Sequence, residues 1–129
     1  MATVTVGHGD FGDVVSSNEI VLVDFWAGWC GPCRSFAPVY ETASEQHPDV
    51  VFAKVDTEAE PELAARFGVM SVPTLMAFRD EVIFYAEPGA LPADSLGLLI
   101  EKVKELDMDE VRRQMAADAE EWATASTTD

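Results

Sequence analysis

The five residues from Trp29 to Cys33, read as Trp-Cys-Gly-Pro-Cys, constrain the fold of this chain more than any other segment. They contain both cysteines of the 129-residue sequence. An almost unbroken apolar run, from Glu19 to Ala27, ends just before them, and a helix-compatible pattern begins inside them. A run of this kind is typical of a central parallel strand that is buried on both faces. The sequence therefore predicts an α/β protein whose cysteines lie between a central strand and the helix that follows it.

This position would make Cys30 a nucleophile. At a helix N-terminus, free backbone N–H groups and the positive end of the helix dipole stabilise a thiolate over a thiol. Cys33 would lie one turn further on, on the same face, within reach of the first sulfur. Pro32 suits a first helical turn, and Gly31 leaves the approach to the sulfur open. The spacing therefore indicates thiol–disulfide exchange, in which a thiolate opens a foreign disulfide and the neighbouring thiol resolves the mixed disulfide.

Two other interpretations of the Cys-x-x-Cys pair are weaker. A zinc site usually has four protein ligands, and the remaining candidates, His8 and His47, do not have paired ligand spacing. We therefore expect no bound metal. A purely structural disulfide is also disfavoured, because closing so short a loop removes little chain entropy.

Length and composition define the broad class of protein. A chain of 129 residues, of which 48% are hydrophobic, is large enough to bury one core without cross-links. It contains no run of about 18 apolar residues that would span a membrane. Residues 1–10 lack the basic head and long apolar core of a signal peptide. We therefore expect a cytoplasmic protein, and in that reducing setting a Cys-x-x-Cys pair is more often catalytic than structural.

The net charge of −16 limits the kinds of partner. It argues against nucleic acid and against anionic membranes, because both repel an acidic surface. Solubility is the simplest explanation of such a charge, and we expect a monomer.

Asp24 interrupts the apolar run of the predicted central strand, and Lys54 is the only charge in a second apolar run, residues 50–55. A buried carboxylate is costly unless it is paired or neutral, so burial should raise the pKa of Asp24. Asp24 would then be a proton acceptor near the cysteines, at the carboxyl end of the strand, where open α/β sheets bind ligands. For Lys54 two interpretations remain open: it offsets part of the cost of burying Asp24, or it reaches solvent from a strand end.

The whole sequence predicts the element order β-α-β-α-β-α-β-β-α. The other strands are predicted at residues 3–6, 69–78 and 82–86, the last two joined by a turn at 79–81. The helices are predicted at 11–17 with Asp10 as cap, at about 33–47 with Pro38 inside, through residue 66 with Thr57 or Glu58 as cap and Pro61 in the first turn, and from about 92 to 106.

With these elements in place, the sequence resembles the thioredoxin family. The resemblance rests on the segment from Trp26 to Cys33, on Pro38, on Val72-Pro73-Thr74 and on Gly89, and it covers about residues 3–106. It implies a thioredoxin fold, a central mixed sheet of four to five strands flanked by helices, in a domain of residues 1–106. It also implies a protein-disulfide reductase that needs no cofactor, takes electrons from an NADPH-dependent thioredoxin reductase and passes them to oxidised protein substrates.

The resemblance further implies roles for individual residues. Cys30 would be the attacking thiolate and Cys33 the resolving thiol. Asp24 would help to deprotonate Cys33, with Lys54 as its neighbour, and Pro73 would be a cis-proline packed against the cysteines. Substrate would contact a loop that aligns with its backbone, Met70, Ser71 and Val72, and a flat surface, Trp29, Gly31, Pro32 and Gly89.

Three features depart from the family pattern. The turn Arg79-Asp80-Glu81 lacks the usual Asn-Gly or Asp-Gly, which leaves the geometry of the hairpin in question. Pro88 lies beside the substrate-facing Gly89, where it could alter partner choice. The chain also continues past Leu106, where many family members end.

The acidic extension, residues 107–129, contains seven acidic and two basic residues. Four of its apolar side chains fall near one face at helical spacing: Met108, Val111, Met115 and Trp122. Asp107 or Asp109 could cap such a helix. We expect the helix to pack on the body of the protein or on a partner, because the large side chain of Trp122 would otherwise be exposed to solvent. A disordered acidic tail is the alternative, and residues 126–129 should be disordered in either case.

Two other functions compete with that of a reductase. A binding module or stabilising subunit with incidental cysteines is opposed by the joint presence of Cys30, Cys33, Asp24 and Pro73. A net oxidant or isomerase is opposed by the Gly-Pro pair between the cysteines, which resembles reductants of this superfamily.

Overall fold

A five-stranded mixed sheet forms the centre of the computed structural model, which describes the backbone of residues 2–127 and the side chains of residues 2–124. Its strands are β1 (Thr3–Thr5), β2 (Ile20–Trp26), β3 (Val51–Asp56), β4 (Thr74–Arg79) and β5 (Val82–Pro88). Their order across the sheet is β1-β3-β2-β4-β5; β1, β3 and β2 are parallel, and β4 runs antiparallel to β2 and β5. The predicted mixed sheet is therefore confirmed, with β2 as its central strand.

Five helices accompany the sheet in the described part of the chain: α1 (Phe11–Ser17), α2 (Gly31–Gln46), α3 (Pro61–Arg66), α4 (Ala93–Lys104) and α5 (Met108–Thr127). The predicted element order is confirmed, and α5 follows it as the predicted helical extension. None of the helices described between residues 2 and 127 combines the length and the apolar character that a membrane span requires.

The side chains of β2 alternate between two apolar cores, one on each face of the sheet. Leu22 packs in a core with Phe36 and Tyr40 of α2 and with the buried side of α4. Val23 packs in the other core with residues of α1 and α3. Each fully buried side chain of this kind contributes about 2 kcal/mol. Since alternate residues share a face, Asp24 points to the α2 side of the sheet, together with Leu22.

Two predicted features of the helix starts are wrong. The Asp10 side chain does not cap α1; it turns back and accepts a hydrogen bond from the Gly7 N–H at 2.8 Å. The N-cap of α3 is Glu60 rather than Thr57 or Glu58, while Pro61 lies in the first turn as predicted. The residues before it form a turn in which Asp56 Oδ1 accepts hydrogen bonds from two successive backbone N–H groups, at 2.9 and 3.4 Å. A short side chain thus holds a turn where periodicity suggested a helix.

β4 begins at Thr74, five residues later than the predicted strand. The Val72–Pro73 peptide bond is cis, and Pro73 has no N–H to donate to a neighbouring strand. Residues 69–73 therefore form a loop. The register of β4 on β2 places this loop at the end of the sheet where β2 ends.

A two-residue turn, Asp80-Glu81, joins β4 to β5. Both residues lie in the left-handed region, with φ of 49° and 70°, and Arg79 pairs directly with Val82 across the hairpin. Asn-Gly or Asp-Gly usually supplies this backbone conformation. The predicted antiparallel hairpin is confirmed, and two larger residues adopt its turn at a cost of about 1 kcal/mol each relative to glycine.

Arg79 joins the C-terminus of α4 to the sheet. Its Nη1 donates hydrogen bonds to the carbonyl oxygens of Val103, Lys104 and Leu106 at 2.9, 3.0 and 2.9 Å, and its Nη2 pairs with Glu19 at 3.0 Å. The last carbonyl groups of a helix have no partner within it, so this guanidinium supplies the missing donors. The end of α4 is thereby held at the edge of the sheet where β2 begins.

α5 contacts the body of the protein through its first turn. Asp107 caps it by accepting a hydrogen bond from the N–H three residues on, at 3.1 Å, as predicted. Met108 is buried, and Arg112 forms an ion pair with Asp80 at 3.0 Å. Trp122, by contrast, is 73% exposed. The helix itself is confirmed, but its predicted packing on the body is wrong beyond the first turn, because residues 112–124 are exposed.

Packing of α5 on a partner stays a prediction. The helix continues through Thr127, so the backbone of residues 126 and 127 is helical where disorder was predicted. Residues 128 and 129 lie outside the described residues, and their predicted disorder stays a prediction. The division at residues 106 and 107 falls in the short connection between α4 and α5.

Candidate redox site

A disulfide between Cys30 and Cys33 lies where β2 passes into α2. The connection is closed by a hydrogen bond from the Cys30 N–H to the Ala27 carbonyl oxygen, at 3.2 Å. Cys30 is the N-cap of α2 and has an extended backbone. The predicted position of the pair, between the central strand and its helix, is confirmed, and α2 begins at Gly31 rather than at Cys33.

The sulfur of Cys30 accepts a hydrogen bond from the first turn of α2. The Cys33 N–H donates to the Cys30 Sγ at 3.1 Å, so the cysteine side chain is the acceptor that caps α2. This donor and the positive end of the helix dipole stabilise negative charge on the sulfur whenever the pair is reduced. The geometry therefore favours a thiolate at Cys30.

The two cysteines are enclosed, whereas the surface around them is open. Cys30 is 2% exposed and Cys33 is 4% exposed, while Trp29 is 70% exposed. Gly31 and Pro32 are also exposed. A disulfide that reaches Cys30 must therefore lie against a flat and largely apolar rim.

The loop before β4 forms a second wall of the site. The Val72 carbonyl oxygen lies 3.5 Å from the sulfur that caps α2. Two hydrogen bonds hold the loop: Thr74 Oγ1 donates to the Ser71 carbonyl oxygen at 2.7 Å, and the Gly89 N–H donates to the Pro73 carbonyl oxygen at 2.8 Å. Gly89 has a φ of 105°, a conformation that other residues rarely adopt. The cis-proline loop thus has a fixed position beside the disulfide.

A cleft of about 150 Å³ opens between Trp29 and this loop. Thr57 and Val69 lie in its lining, together with the three predicted substrate-contacting residues of the loop, Met70, Ser71 and Val72. The structure thus brings the predicted contact residues to one surface around the disulfide. That they bind substrate stays a prediction.

Asp24 is a buried carboxyl group inside the central strand. It is 1% exposed, and neither of its oxygens contacts a donor among the described residues. Burial raises its pKa to about 6, and the positive charge of Lys54 opposes part of this rise. Because Asp24 lies near the carboxyl end of β2 and points to the α2 side, a proton can be held there close to the Cys-x-x-Cys pair.

Lys54 lies opposite Asp24 in the register of β2 and β3, so the two side chains share a face of the sheet. Its Nζ lies 5.4 Å from the centre of the Trp26 ring, a cation–π distance. The Asp24 oxygens receive no hydrogen bond from it. The first of the two interpretations left open is supported, because the charge of Lys54 lowers the pKa of Asp24. The ammonium group lies over Trp26, and its reach to solvent stays a prediction.

Two residues near the pair were not predicted as part of the site. Arg34 donates a hydrogen bond to the Gly28 carbonyl oxygen at 2.9 Å and lines a cavity of about 270 Å³ with Cys33 and Lys54. Tyr40 lies in the core below, where burial, and secondarily the charge of Asp24, raises its pKa well above the usual value. The position of Arg34, directly after the motif in the first turn of a helix, was a signal for it. Tyr40 had no comparable signal.

An enclosed disulfide formed by a Cys-x-x-Cys pair at a helix N-terminus, on the carboxyl end of a central strand, defines a thiol–disulfide oxidoreductase. No group of three or more His, Cys, Asp or Glu side chains that could hold a metal ion occurs among the described residues. The family model named Thioredoxin matches residues 2–102. The chain belongs to the thioredoxin family, and its fold is the thioredoxin fold with one additional C-terminal helix.

Similar proteins agree with this assignment. The chain is 55% identical over 115 residues to a putative thioredoxin 2 of Streptomyces coelicolor, covering 89% of this chain and 86% of that protein. It is 54% identical over 70 residues to a bifunctional thioredoxin reductase/thioredoxin of Mycobacterium leprae, covering 54% of this chain and 15% of that protein. Among solved structures, a mutant thioredoxin from Halobacterium salinarum matches with a TM-score of 0.75 and 41% identity, covering 81% of this chain and 91% of that chain.

Proposed function

We propose that this protein is a protein-disulfide reductase of the cytosol, recycled by an NADPH-dependent thioredoxin reductase. One observation carries the proposal: the Cys30 sulfur accepts the Cys33 N–H at the start of α2, at the centre of an open apolar rim. A sulfur in this position is ionised more easily than a free thiol, and the open surface around it lets a protein disulfide dock beside it. Family membership supports the same activity.

The reaction proceeds through a mixed disulfide. The Cys30 thiolate attacks one sulfur of the substrate disulfide; an S–S bond forms to Cys30, and the substrate S–S bond breaks, releasing a thiolate that takes up a proton. Asp24 accepts the proton of Cys33, whose thiolate then attacks the Cys30 sulfur. The second substrate thiol leaves, and the Cys30–Cys33 disulfide remains. Two electrons have passed from the protein to its substrate.

Substrate docking uses the rim on both sides of the disulfide. Trp29, Gly31 and Pro32 supply a surface without obstructing side chains, and Gly89 borders it. The backbone of the loop from Met70 to Val72 aligns with an extended substrate segment. Lys54 moderates the pKa of Asp24 through its charge. No bound cofactor takes part, since both redox atoms belong to the chain.

The reductase partner supplies electrons to the oxidised pair. The fusion of a thioredoxin reductase with a thioredoxin in the Mycobacterium leprae relative supports a partner of that kind. A reducing compartment supports the same direction of transfer, because the dithiol form persists there.

Insulin reduction tests the activity. With dithiothreitol as electron donor, the wild-type protein should precipitate insulin much faster than dithiothreitol alone. The rate with Cys30→Ser should equal that of dithiothreitol alone. Equal, low rates for the two proteins would exclude a reductase and favour a binding module.

The partner requires a separate assay. NADPH and a bacterial thioredoxin reductase should reduce the wild-type disulfide, followed as the loss of NADPH absorbance. Absence of NADPH consumption, with insulin activity intact, would overturn the proposed partner but not the activity.

A further inference from the structure

Met70 is the most exposed sulfur in the described part of the chain. Its side chain is 96% exposed, compared with 49% for Met115, 7% for Met108 and 2% for Met76. The two cysteine sulfurs, joined in the disulfide, are enclosed. An oxidant that approaches the disulfide form of the protein therefore meets the Met70 thioether before any other described sulfur.

The exposure of Met70 does not come from a loose segment. The Val69 N–H beside it donates to the Ala64 carbonyl oxygen at 3.0 Å, and the Ser71 carbonyl oxygen on its other side accepts from Thr74 Oγ1 at 2.7 Å. The backbone thus holds a large apolar side chain in water, although its burial elsewhere would contribute about 2 kcal/mol. Such exposure is expected of a residue that is covered only when another molecule docks.

The position of Met70 connects it with the exchange reaction. It lines the cleft of about 150 Å³ that it shares with Trp29 and Val72. The Val72 carbonyl oxygen, two residues along the loop, lies 3.5 Å from the Cys30 sulfur. A chemical change at Met70 therefore alters the surface on which a substrate must lie.

We propose that Met70 is a hydroperoxide-sensitive modification site, and that its oxidation to the sulfoxide weakens the docking of protein disulfides. The second part of this inference rests on the proposed reductase function. Sulfoxide formation replaces an apolar, flexible thioether with a polar group, which must lose its hydration when a substrate covers it.

A hydroperoxide is the oxidant that converts the Met70 thioether to the sulfoxide. The Met70 sulfur attacks the terminal OH oxygen of the hydroperoxide; the S–O bond forms and the O–O bond breaks. The transferred oxygen loses its proton, and the leaving oxygen takes up a proton and departs as water or as an alcohol. The sulfur is oxidised by two electrons and the hydroperoxide is reduced by two electrons. The cysteines contribute nothing to this step while they remain paired as the disulfide.

The experiment starts from the disulfide form of the full chain, treated with limiting hydrogen peroxide and then with catalase. Peptide mass mapping measures the oxygen added at each methionine, and insulin reduction with dithiothreitol measures activity before and after treatment. Reduction of Ellman's reagent, a small disulfide that does not need the cleft, is measured in parallel. The mass of the Met70 peptide is measured again after the assay, to show that the added oxygen is still present.

Three proteins are compared, each with its own untreated form. Wild type and Met115→Leu should gain oxygen first at Met70, and their KM for insulin should rise about tenfold, the loss expected for one apolar anchor. Met70→Leu should show no such change on treatment, since leucine cannot be oxidised. Reduction of Ellman's reagent should be unaffected in all three. Circular dichroism establishes that Met70→Leu is folded, as expected for a change at an exposed side chain.

The outcomes separate this inference from the proposed function. Earlier oxidation of another methionine would overturn Met70 as the site. Full oxidation of Met70 with an unchanged KM for insulin would overturn the effect on docking. A rise in the KM of treated Met70→Leu as large as that of treated wild type would overturn it too. Failure of the untreated wild type to reduce insulin would instead overturn the reductase function, and with it the effect on docking, while the mass map would still decide the site of oxidation.

Discussion

Asp24 and Arg79 are two charged side chains at opposite ends of the same sheet, and their surroundings differ. Asp24, near the end of β2, is 1% exposed, and its two oxygens have no partner among the described residues. Arg79 is paired with Ile20 at the start of β2 and is 13% exposed in its side chain. Its terminal nitrogens bind three carbonyl groups and one carboxylate, although its Nε lacks an acceptor within the described residues.

The difference separates a functional charge from a structural one. Satisfying a buried charge with well-placed hydrogen bonds stabilises a fold, and the loss of such a group leaves its partners unpaired. A buried charge without partners destabilises the folded state, and its retention indicates a use for its proton. We therefore expect removal of Arg79 to harm stability and removal of Asp24 to improve stability while it slows the reaction.

The largest expected effect is that of Arg79→Met. It should lower the free energy of unfolding by about 3 kcal/mol, because three carbonyl groups at the end of α4 lose their donor. Urea denaturation followed by circular dichroism measures this loss. Arg34→Met is the matched control at the redox end of the sheet: Arg34 is exposed and makes one hydrogen bond to Gly28, so its loss should cost less than about 1 kcal/mol. Equal losses of unfolding free energy in the two variants would show that Arg79 has no special structural role.

Asp24→Asn should have an effect of the opposite sign, with a pH dependence of its own. Burial raises the pKa of Asp24 from 3.8 to about 6. Between these values the folded protein binds a proton that the unfolded chain has released, so stability falls as the pH rises and the loss is complete above pH 6. At about 1.4 kcal/mol for each pKa unit, the variant should be up to about 3 kcal/mol more stable than wild type at pH 7.

The same variant should also react more slowly, and more so at neutral than at alkaline pH, because hydroxide replaces the missing base as the pH rises. Urea midpoints at pH 4 to 8, a range that covers the titration of folded Asp24 near pH 6, and insulin reduction rates at pH 6 to 9 measure the two quantities. The difference in stability between the two proteins should shrink as the pH falls from 6 towards 4. A rate loss that is uniform across pH, or a stability difference that does not change with pH, would remove Asp24 from the proposed role.

Truncation after Leu106 should have a smaller effect. It removes the burial of Met108 and the ion pair between Arg112 and Asp80. The Val103 and Lys104 carbonyl groups still accept from Arg79, and the Leu106 oxygen that accepts from it becomes part of the new C-terminal carboxylate. We expect a loss of about 2 kcal/mol in the free energy of unfolding and an unchanged rate of insulin reduction. Failure of residues 1–106 to fold would show that α5 is part of the domain, against the proposed division at residues 106 and 107.

The smallest expected effect is that of Glu81→Gly. Glu81 has a φ of 70°, which glycine adopts without strain, so the hairpin at the Arg79 end of the sheet should become about 1 kcal/mol more stable. Asp80 is left in place because it pairs with Arg112. Glu87→Gly, in an extended segment of the same hairpin, is the control and should lower stability. A loss of stability in both variants would show that the turn is not strained.

Part of the site could be predicted because it depends on residues close together in sequence. An apolar run followed by Cys30, Gly31 and Pro32 predicts a strand, a cap and a helix through local rules of burial and capping. The raised pKa of Asp24 was likewise predicted, because a carboxyl group in an apolar strand is buried whatever packs against it. The helix of the extension and its Asp107 cap followed from spacing alone.

Other features could not be predicted because they depend on segments that are far apart in the chain. The partners of Arg79 come from the end of α4, more than twenty residues later, and the position of Lys54 over Trp26 requires two neighbouring strands. The start of β4 and the packing of the later turns of α5 on the body were predicted wrongly for the same reason. Periodicity identifies which residues can share a face, but not whether another element covers that face.

By itself, the sequence determined where a reactive sulfur lies along the chain: at the start of a helix that follows a buried strand, with a carboxyl group inside that strand. These features follow from short-range spacing, since capping and strand alternation act over a few residues. Only the tertiary structure decided that the Val72 carbonyl group lies beside that sulfur, that Met70 is exposed at the neighbouring cleft, and that α5 is anchored at the other end of the sheet. Each of these depends on packing between remote segments, which the pattern of apolar and polar residues does not specify.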